Sequence, residues 1–209
     1  MATRGYVVLQ PQFRGSAGFG RAWADAGRRQ WGGLMQNDLT DGVRDLVRLG
    51  AVDPKRVCIV GASYGGYAAL AGATLTPELY ACAVSVGGIG DLPMMLRWIK
   101  ARQADQGNPG RLNYWLDHIG PAGDPAVARA SPVNNIIAVR APILLIHGRD
   151  DTVVPYAQSA EMAEALKRAG KSATLTPLVG EDHWLSLSQT RTQTLEAMES
   201  FLAMSLKPQ

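Results

Sequence analysis

The stretch that most restricts the fold of this chain is Val57–Pro77, VCIVGASYGGYAALAGATLTP, which carries no charge. Its length raises the question of a membrane span, but four glycines, Ser63, two threonines and two tyrosines interrupt it. A buried strand followed by a buried helix accounts for it better. VCIV is short and rich in β-branched residues, YGGYAALAGATL is built of small and helix-compatible residues, and between them Gly61-Ala62-Ser63-Tyr64-Gly65 fits G-x-S-x-G. In a chain with 23 glycines the motif alone says little. Its placement says more, because a sharp strand-to-helix turn is what lifts a serine oxygen above a sheet. Glycines on both sides are expected, since a Cβ there would collide with the neighbouring strand and helix. Ser63 is the candidate nucleophile.

The rest of the chain repeats the strand–helix rhythm. Strands are expected at Tyr6–Gln10, Val57–Val60, Cys82–Val86, Ile143–His147 and Thr174–Leu178, the last weakened by Pro177. Helices are expected at about Leu39–Leu49, Tyr64–Leu75, Ala157–Ala169 and Leu187–Met204. The third of these begins just after Pro155 and stops at Gly170, with Lys167 and Arg168 in its last turn. Continuous apolar runs imply strands covered on both faces, so the fold class is α/β with a mostly parallel, doubly wound sheet. Asp91 to Asn135 breaks the rhythm: MMLRWIKARQ and YWLDHI read as two amphipathic helices separated by QGNPG, a helical insertion over about residues 91–135. No repeat, low-complexity tract or linker divides the chain, which reads as one domain over residues 1–209.

Charge and cysteine content limit the partners. Subtracting 18 acidic from 21 basic side chains leaves +3, and the basic residues are scattered, so nucleic-acid binding is not implied. Cys58 and Cys82 both sit in apolar runs and are expected to be reduced core thiols. The opening MATRGYVVLQPQ lacks the apolar length and cleavage site of a secretory signal, and a cytoplasmic location is the expectation, with no membrane partner. No cluster has zinc-ligand spacing, so neither a metal nor an organic cofactor is expected.

A serine nucleophile needs a base, and the base needs an anion. Of His118, His147 and His183, the last follows the final strand in VGEDHW, at the carboxyl end of the sheet where Ser63 also lies. It also completes the chain order serine, acid, histidine. His147 ends its own strand and reads as a packed imidazole, while His118 belongs to the insertion. Glu181 and Trp184 beside the base read as its supports. The acid belongs to the loop after ILLIH, where Asp150 and Asp151 compete and spacing alone does not choose.

At this point GYVVLQPQFRGSAGFG, DPKRVCIVGASYGGYAAL, APILLIHGRDDTVVPYAQS and GEDHW resemble, in order and spacing, the catalytic domain of the prolyl oligopeptidase family of serine peptidases. The likeness runs over nearly the whole chain, including DLPMMLRW in the insertion. It implies an α/β-hydrolase fold, hydrolysis of short peptides or acyl-peptides through an acyl-enzyme, and a β-propeller preceding the hydrolase. It favours Asp151 as the acid, four residues after His147 and four before Pro155, with Asp150 second. It also implies that the Tyr64 amide is one oxyanion donor and that a second comes from a loop after an earlier strand. The aromatic-lined pocket of proline-specific members corresponds here to GIGDLPMM, so a general apolar pocket with Ile89, Met94 and Met95 is expected instead. Arg14 in QFRGSAGFG is expected to anchor its loop.

The family's strand order, 1-2-4-3-5-6-7-8, has a structural consequence. A strand lying between Tyr6–Gln10 and Val57–Val60 would precede this sequence, so both should lack a neighbour. The expectation is therefore a hydrolase domain without its first strands, whose partner is the missing N-terminal propeller portion or a second copy of the chain. The alternatives are a carboxylesterase or thioesterase on the same three residues, and a non-catalytic hydrolase-like module that needs the absent portion.

Overall fold

The structure, a computed structural model, describes residues 1–106 and 109–206. Gly107 and Asn108, in the expected QGNPG break, lie outside the described residues. Four strands form a parallel sheet in the order β1 (Cys58–Ala62), β2 (Cys82–Val86), β3 (Ile143–Gly148) and β4 (Ala173–Leu178). The helices in chain order are α1 (Arg21–Asp25), α2 (Leu34–Arg48), α3 (Tyr64–Leu75), α4 (Leu92–Gln106), α5 (Pro109–His118), α6 (Pro125–Ala130), α7 (Ala157–Arg168) and α8 (Ser188–Ser205). Short 3-10 turns occupy Ala2–Arg4 and Pro132–Ala138.

The strands sort their side chains by parity. Ala83, Ile143 and Leu145 point to one face, where they pack with Leu70 and Ala73 of α3 and with Met162 and Leu166 of α7. Cys82, Val84, Val86, Leu144 and Ile146 point to the other, against Leu202, Met198 and Phe201 of α8. Burial on both faces explains why the strands read as unbroken apolar runs, and makes the sheet doubly wound. A third cluster joins Tyr67 and Ala71 of α3 to Ile89, Leu92, Met95, Leu96 and Ile99, with α5 residues Leu112, Trp115 and Leu116 packed on it. The insertion is therefore a helical cover over the amino-terminal part of α3.

Two expectations need correction. Tyr6–Gln10 is not a strand, because β1 pairs with β2 alone and among the described residues offers it no ladder. Tyr6 reaches the α8 side of the core and Leu9 lies near Gly42 of α2, while Val7, Val8 and Leu9 are exposed, as is Val60 on β1. The cysteines are also not free thiols: Cys58 and Cys82 form a disulfide. Each is the first residue of its strand, and the parallel register sets them directly opposite, with Cα atoms 4.6 Å apart, within disulfide reach. The register, invisible in sequence, makes the pair. With the thiols bonded, cysteine usage no longer supports the cytoplasmic expectation. Among the described residues no helix is long and apolar enough to cross a membrane.

α2 also begins five residues before its expected start. Met35 and Leu39 lie one turn apart on its buried side, together with Gln36 and Thr40, so polar residues on that side hid its first turn.

Candidate active site

The loops at the carboxyl ends of β1, β3 and β4 meet above the sheet. Ser63 follows β1 with φ 55° and ψ −117°, a left-handed conformation that costs a non-glycine residue about 1–3 kcal/mol. The Ser63 amide donates to the Val86 carbonyl at 2.9 Å, and its carbonyl accepts the Tyr67 amide at 3.0 Å, so strand and helix fix the turn from both ends. A Cβ on Gly61 would sit 2.2 Å from the Gly65 carbonyl oxygen, so this position requires glycine. A Cβ on Gly65 would meet nothing within 4 Å, contrary to expectation. The crowded helix glycine is Gly66, where a Cβ would lie 2.7 Å from Gly88 Cα. Tyr64, the first residue of α3, supplies an amide from the turn of a helix whose N–H groups lack intrahelical acceptors.

Above this turn His183 Nδ1 donates to Asp151 Oδ2 at 2.7 Å, and His183 Nε2 accepts from the Ser63 hydroxyl at 3.0 Å. The two adjacent aspartates are told apart here. Asp151 is 8% exposed and faces the imidazole, while Asp150 is exposed and uses its amide to donate to the Glu181 carbonyl. Asp151 Oδ1 accepts the Val153 and Val154 amides, each at 2.8 Å. Burial would push the Asp151 carboxyl up. Hydrogen bonds from His147, His183 and the two amides outweigh that and hold it well below the ordinary carboxylate range.

The His183 loop is held by a residue that the sequence placed only in a supporting role. The Glu181 carboxylate is fully buried and accepts the amides of Asp182, Ser186 and Leu187 at 2.9, 2.8 and 3.3 Å, together with the Thr190 hydroxyl at the start of α8. Its backbone lies against Gly148, where a Cβ would come 2.4 Å from the Glu181 carbonyl oxygen. The loops that carry Asp151 and His183 are thus packed backbone to backbone. Leu185, at φ 52°, is a second left-handed residue in the turn. Trp184 meets the His183 ring edge-on at 5.4 Å and is largely exposed.

The cleft over Ser63 is lined by Ala62, Val86, Gly87, Gly148, Asp151, Asp182, His183 and Leu185. Gly87, at φ 53°, was not singled out by sequence; a Cβ there would stand 3.5 Å from Asp151 Oδ2 and 3.6 Å from His183 Nδ1. Ile89, Met94 and Met95, expected to form an apolar pocket, do not line this cleft. Ile89 and Met95 are 2% and 1% exposed, in the core between α3 and the insertion, and half-buried Met94 is absent from the cleft lining. The apolar character of Ile89 and Met95 serves packing. The aromatic rings gathered at the start of α3 are instead Phe13, stacked on Tyr64 at 5.3 Å, and Trp31, edge-on to Tyr64 at 4.5 Å. Arg14, next to Phe13, anchors its loop by donating from its side chain to Asp38 at 2.6 and 2.7 Å and from its amide at 2.9 Å. Those bonds hold the Asp38 carboxyl below its ordinary range. His118 lies in α5, its Nδ1 2.8 Å from the Tyr114 carbonyl, and does not line the cleft over Ser63. Among the described residues no cluster of His, Cys, Asp or Glu could hold a metal ion.

Comparison with known proteins agrees with this architecture. The chain is 32% identical over 99% of its length to dipeptidyl aminopeptidase BIII of Pseudoxanthomonas mexicana, of which it covers 30%. It is 30% identical, again over 99%, to dipeptidyl peptidase family member 6 of Caenorhabditis elegans, covering 28%. A puromycin-hydrolysing peptidase of Mycobacterium tuberculosis superposes with a TM-score of 0.85 at 32% identity, over 94% of this chain and 29% of that one. The acylaminoacyl peptidase of Pyrococcus horikoshii gives 0.83 at 25% identity, over 93% and 32%. The chain therefore spans less than a third of the length of these relatives. The prolyl oligopeptidase family matches residues 1–209 without interruption, and with the α/β-hydrolase architecture in place, the chain belongs to that family.

Proposed function

We propose that residues 1–209 are the nucleophile-bearing part of a serine peptidase that cleaves short peptides or acyl-peptides through an acyl-enzyme. The observation that carries the reading is the continuous relay from Asp151 through His183 to Ser63, at 2.7 and 3.0 Å. Ser63 Oγ attacks the scissile carbonyl as its proton passes to His183 Nε2. Asp151, acceptor-only and kept ionised, stabilises the imidazolium so formed and fixes its tautomer. The Tyr64 amide donates to the oxyanion, a kind of contact whose loss typically costs about 10²–10³ in rate. His183 then returns the proton to the leaving amine, and a water activated by the same imidazole releases the acyl group.

Support for a peptide or aminoacyl substrate comes from the relatives, whose names describe dipeptidyl, acylaminoacyl and puromycin-hydrolysing peptidases. A fluorophosphonate probe applied to the natural gene product that carries this chain tests the reading. Labelling at Ser63, abolished in Ser63→Ala and slowed about 10³–10⁴-fold in Asp151→Asn, is the expected result. Equal labelling of Ser63→Ala would refute it. Faster turnover of a short acyl ester than of any dipeptide anilide would move the assignment to an esterase.

A further inference from the structure

The acid of the proposed relay has a second imidazole against it. His147, the penultimate residue of β3, is fully buried. Its Nε2 lies 3.0 Å from the Val154 carbonyl oxygen and 3.3 Å from Asp151 Oδ2, the oxygen that also receives His183. Both neighbours are acceptors, so Nε2 carries the ring proton. On the opposite side Nδ1 stands 2.7 Å from Ser159 Oγ in the first turn of α7, a hydroxyl that donates to it. The ring is thus held in one tautomer from α7, with its single N–H turned toward the acid loop.

We propose that His147 is a positioning residue for the acid, acting on His183 through Asp151; the proposal rests on the relay above. With His147 present, every face of the Asp151 carboxylate meets a donor: two imidazole N–H groups at Oδ2 and two amides at Oδ1. The carboxylate therefore has one orientation. The charge it offers His183 is also shared with a second donor, which tempers its pull on the His183 proton. Other polar groups around His147 are few. The Tyr156 ring meets it edge-on at 5.8 Å, with the Arg149 guanidinium over that ring at 4.3 Å, and β4 places Pro177 beside it in register. Asp150, Asp182 and Glu181 belong to the adjoining loops, where Asp182 and Glu181 accept bonds from their own turn.

The sign of the effect follows. Removing the His147 donor leaves Asp151 the stronger base, which favours protonated His183, so the acidic limb of the Ser63 reactivity profile moves to higher pH. Replacement by leucine is expected to shift that limb up by about half a pH unit, the scale of one neutral hydrogen bond, and so to slow labelling by up to about threefold on that limb. His147→Gln, whose Nε2 donors replace the imidazole N–H toward Val154 and Asp151, should recover most of the rate and the original limb.

The experiment follows the second-order rate of fluorophosphonate labelling against pH in the natural gene product and in His147→Leu, His147→Gln and Ser159→Ala, with the melting temperature of each. Ser159→Ala releases the ring without touching the acid and should show the same upward shift in smaller measure, which keeps the test decisive if the leucine variant fails to fold. A labelling profile unchanged in both His147→Leu and Ser159→Ala overturns the proposal, as does a glutamine variant as slow as the leucine one with an unshifted limb, the pattern of mere packing. Wild-type protein that is not labelled at Ser63 would remove the relay itself, and this inference with it. A labelled wild type with indifferent His147 variants removes only the inference.

Discussion

At the residue scale the site is a matter of which small side chains are obligatory. The two glycines after Tyr64 look equivalent in sequence, yet only Gly66 is pressed against another backbone, at Gly88, and against Ser85 Oγ 2.9 Å away. Gly66→Ala should therefore cost about 1–3 kcal/mol through overpacking. That corresponds to about 2–4 °C in Tm per kcal/mol for a chain of this size. Gly65→Ala, whose Cβ points into open space, should leave Tm unchanged or raise it. Thermal melts of the two variants side by side check this, and equal losses would contradict it. Ser63 and His183 were legible because each follows a strand and their order in the chain fits the chemistry. Asp151 was not separable from Asp150 by spacing, since neighbouring loop residues differ only in direction. That direction is set by the Val153 and Val154 amides and by the Glu181 carbonyl, which accepts the Asp150 amide. His147 read as a packed imidazole because its partners, Ser159 and Asp151, come together only when the loop after β3 folds back onto α7.

Elements were legible where hydrophobic pattern and end signals coincide. α3 and β2 fall where the sequence puts them, and α7 stops at the basic turn before Gly170. What escaped was pairing, because register is a property of two segments and neither contains it alone. The Cys58–Cys82 bond belongs to this scale: it joins the first residues of β1 and β2 across the α3 crossover, 24 residues apart in sequence. Closing a loop of that size is expected to stabilise the fold by about 3 kcal/mol in the chain-entropy account. Denaturant melts with and without reductant, and of the Cys58→Ser/Cys82→Ser double variant, should show that loss, with reduced wild type and double variant alike. Two titratable thiols in the non-reduced, denatured protein would count against the bond. The Ser63 turn lies at the far end of β1, so fluorophosphonate labelling of the surviving folded fraction should persist after reduction.

For the whole molecule, the exposed edge of β1 governs behaviour. One edge of β1, the strand that leads to Ser63, carries no ladder among the described residues; Val60 on it is 45% exposed, and Val7 and Val8 are exposed as well. Residues 1–209 expressed alone should then self-associate at high micromolar concentration, as unpaired apolar edges do. Light scattering should give a mass above 22.4 kDa, and Val8→Lys/Val60→Lys should return it to that of one chain. A monomeric wild type under those conditions would argue against a sticky edge. The sequence did not show the fate of Tyr6–Gln10, which among the described residues pairs with no strand and stays irregular. The disulfide has one more consequence, for how the molecule comes apart. Because it spans all of α3, a protease that nicks the backbone anywhere between the two cysteines leaves the amino- and carboxyl-terminal pieces covalently joined. They would run as one band on a gel until reductant separates them.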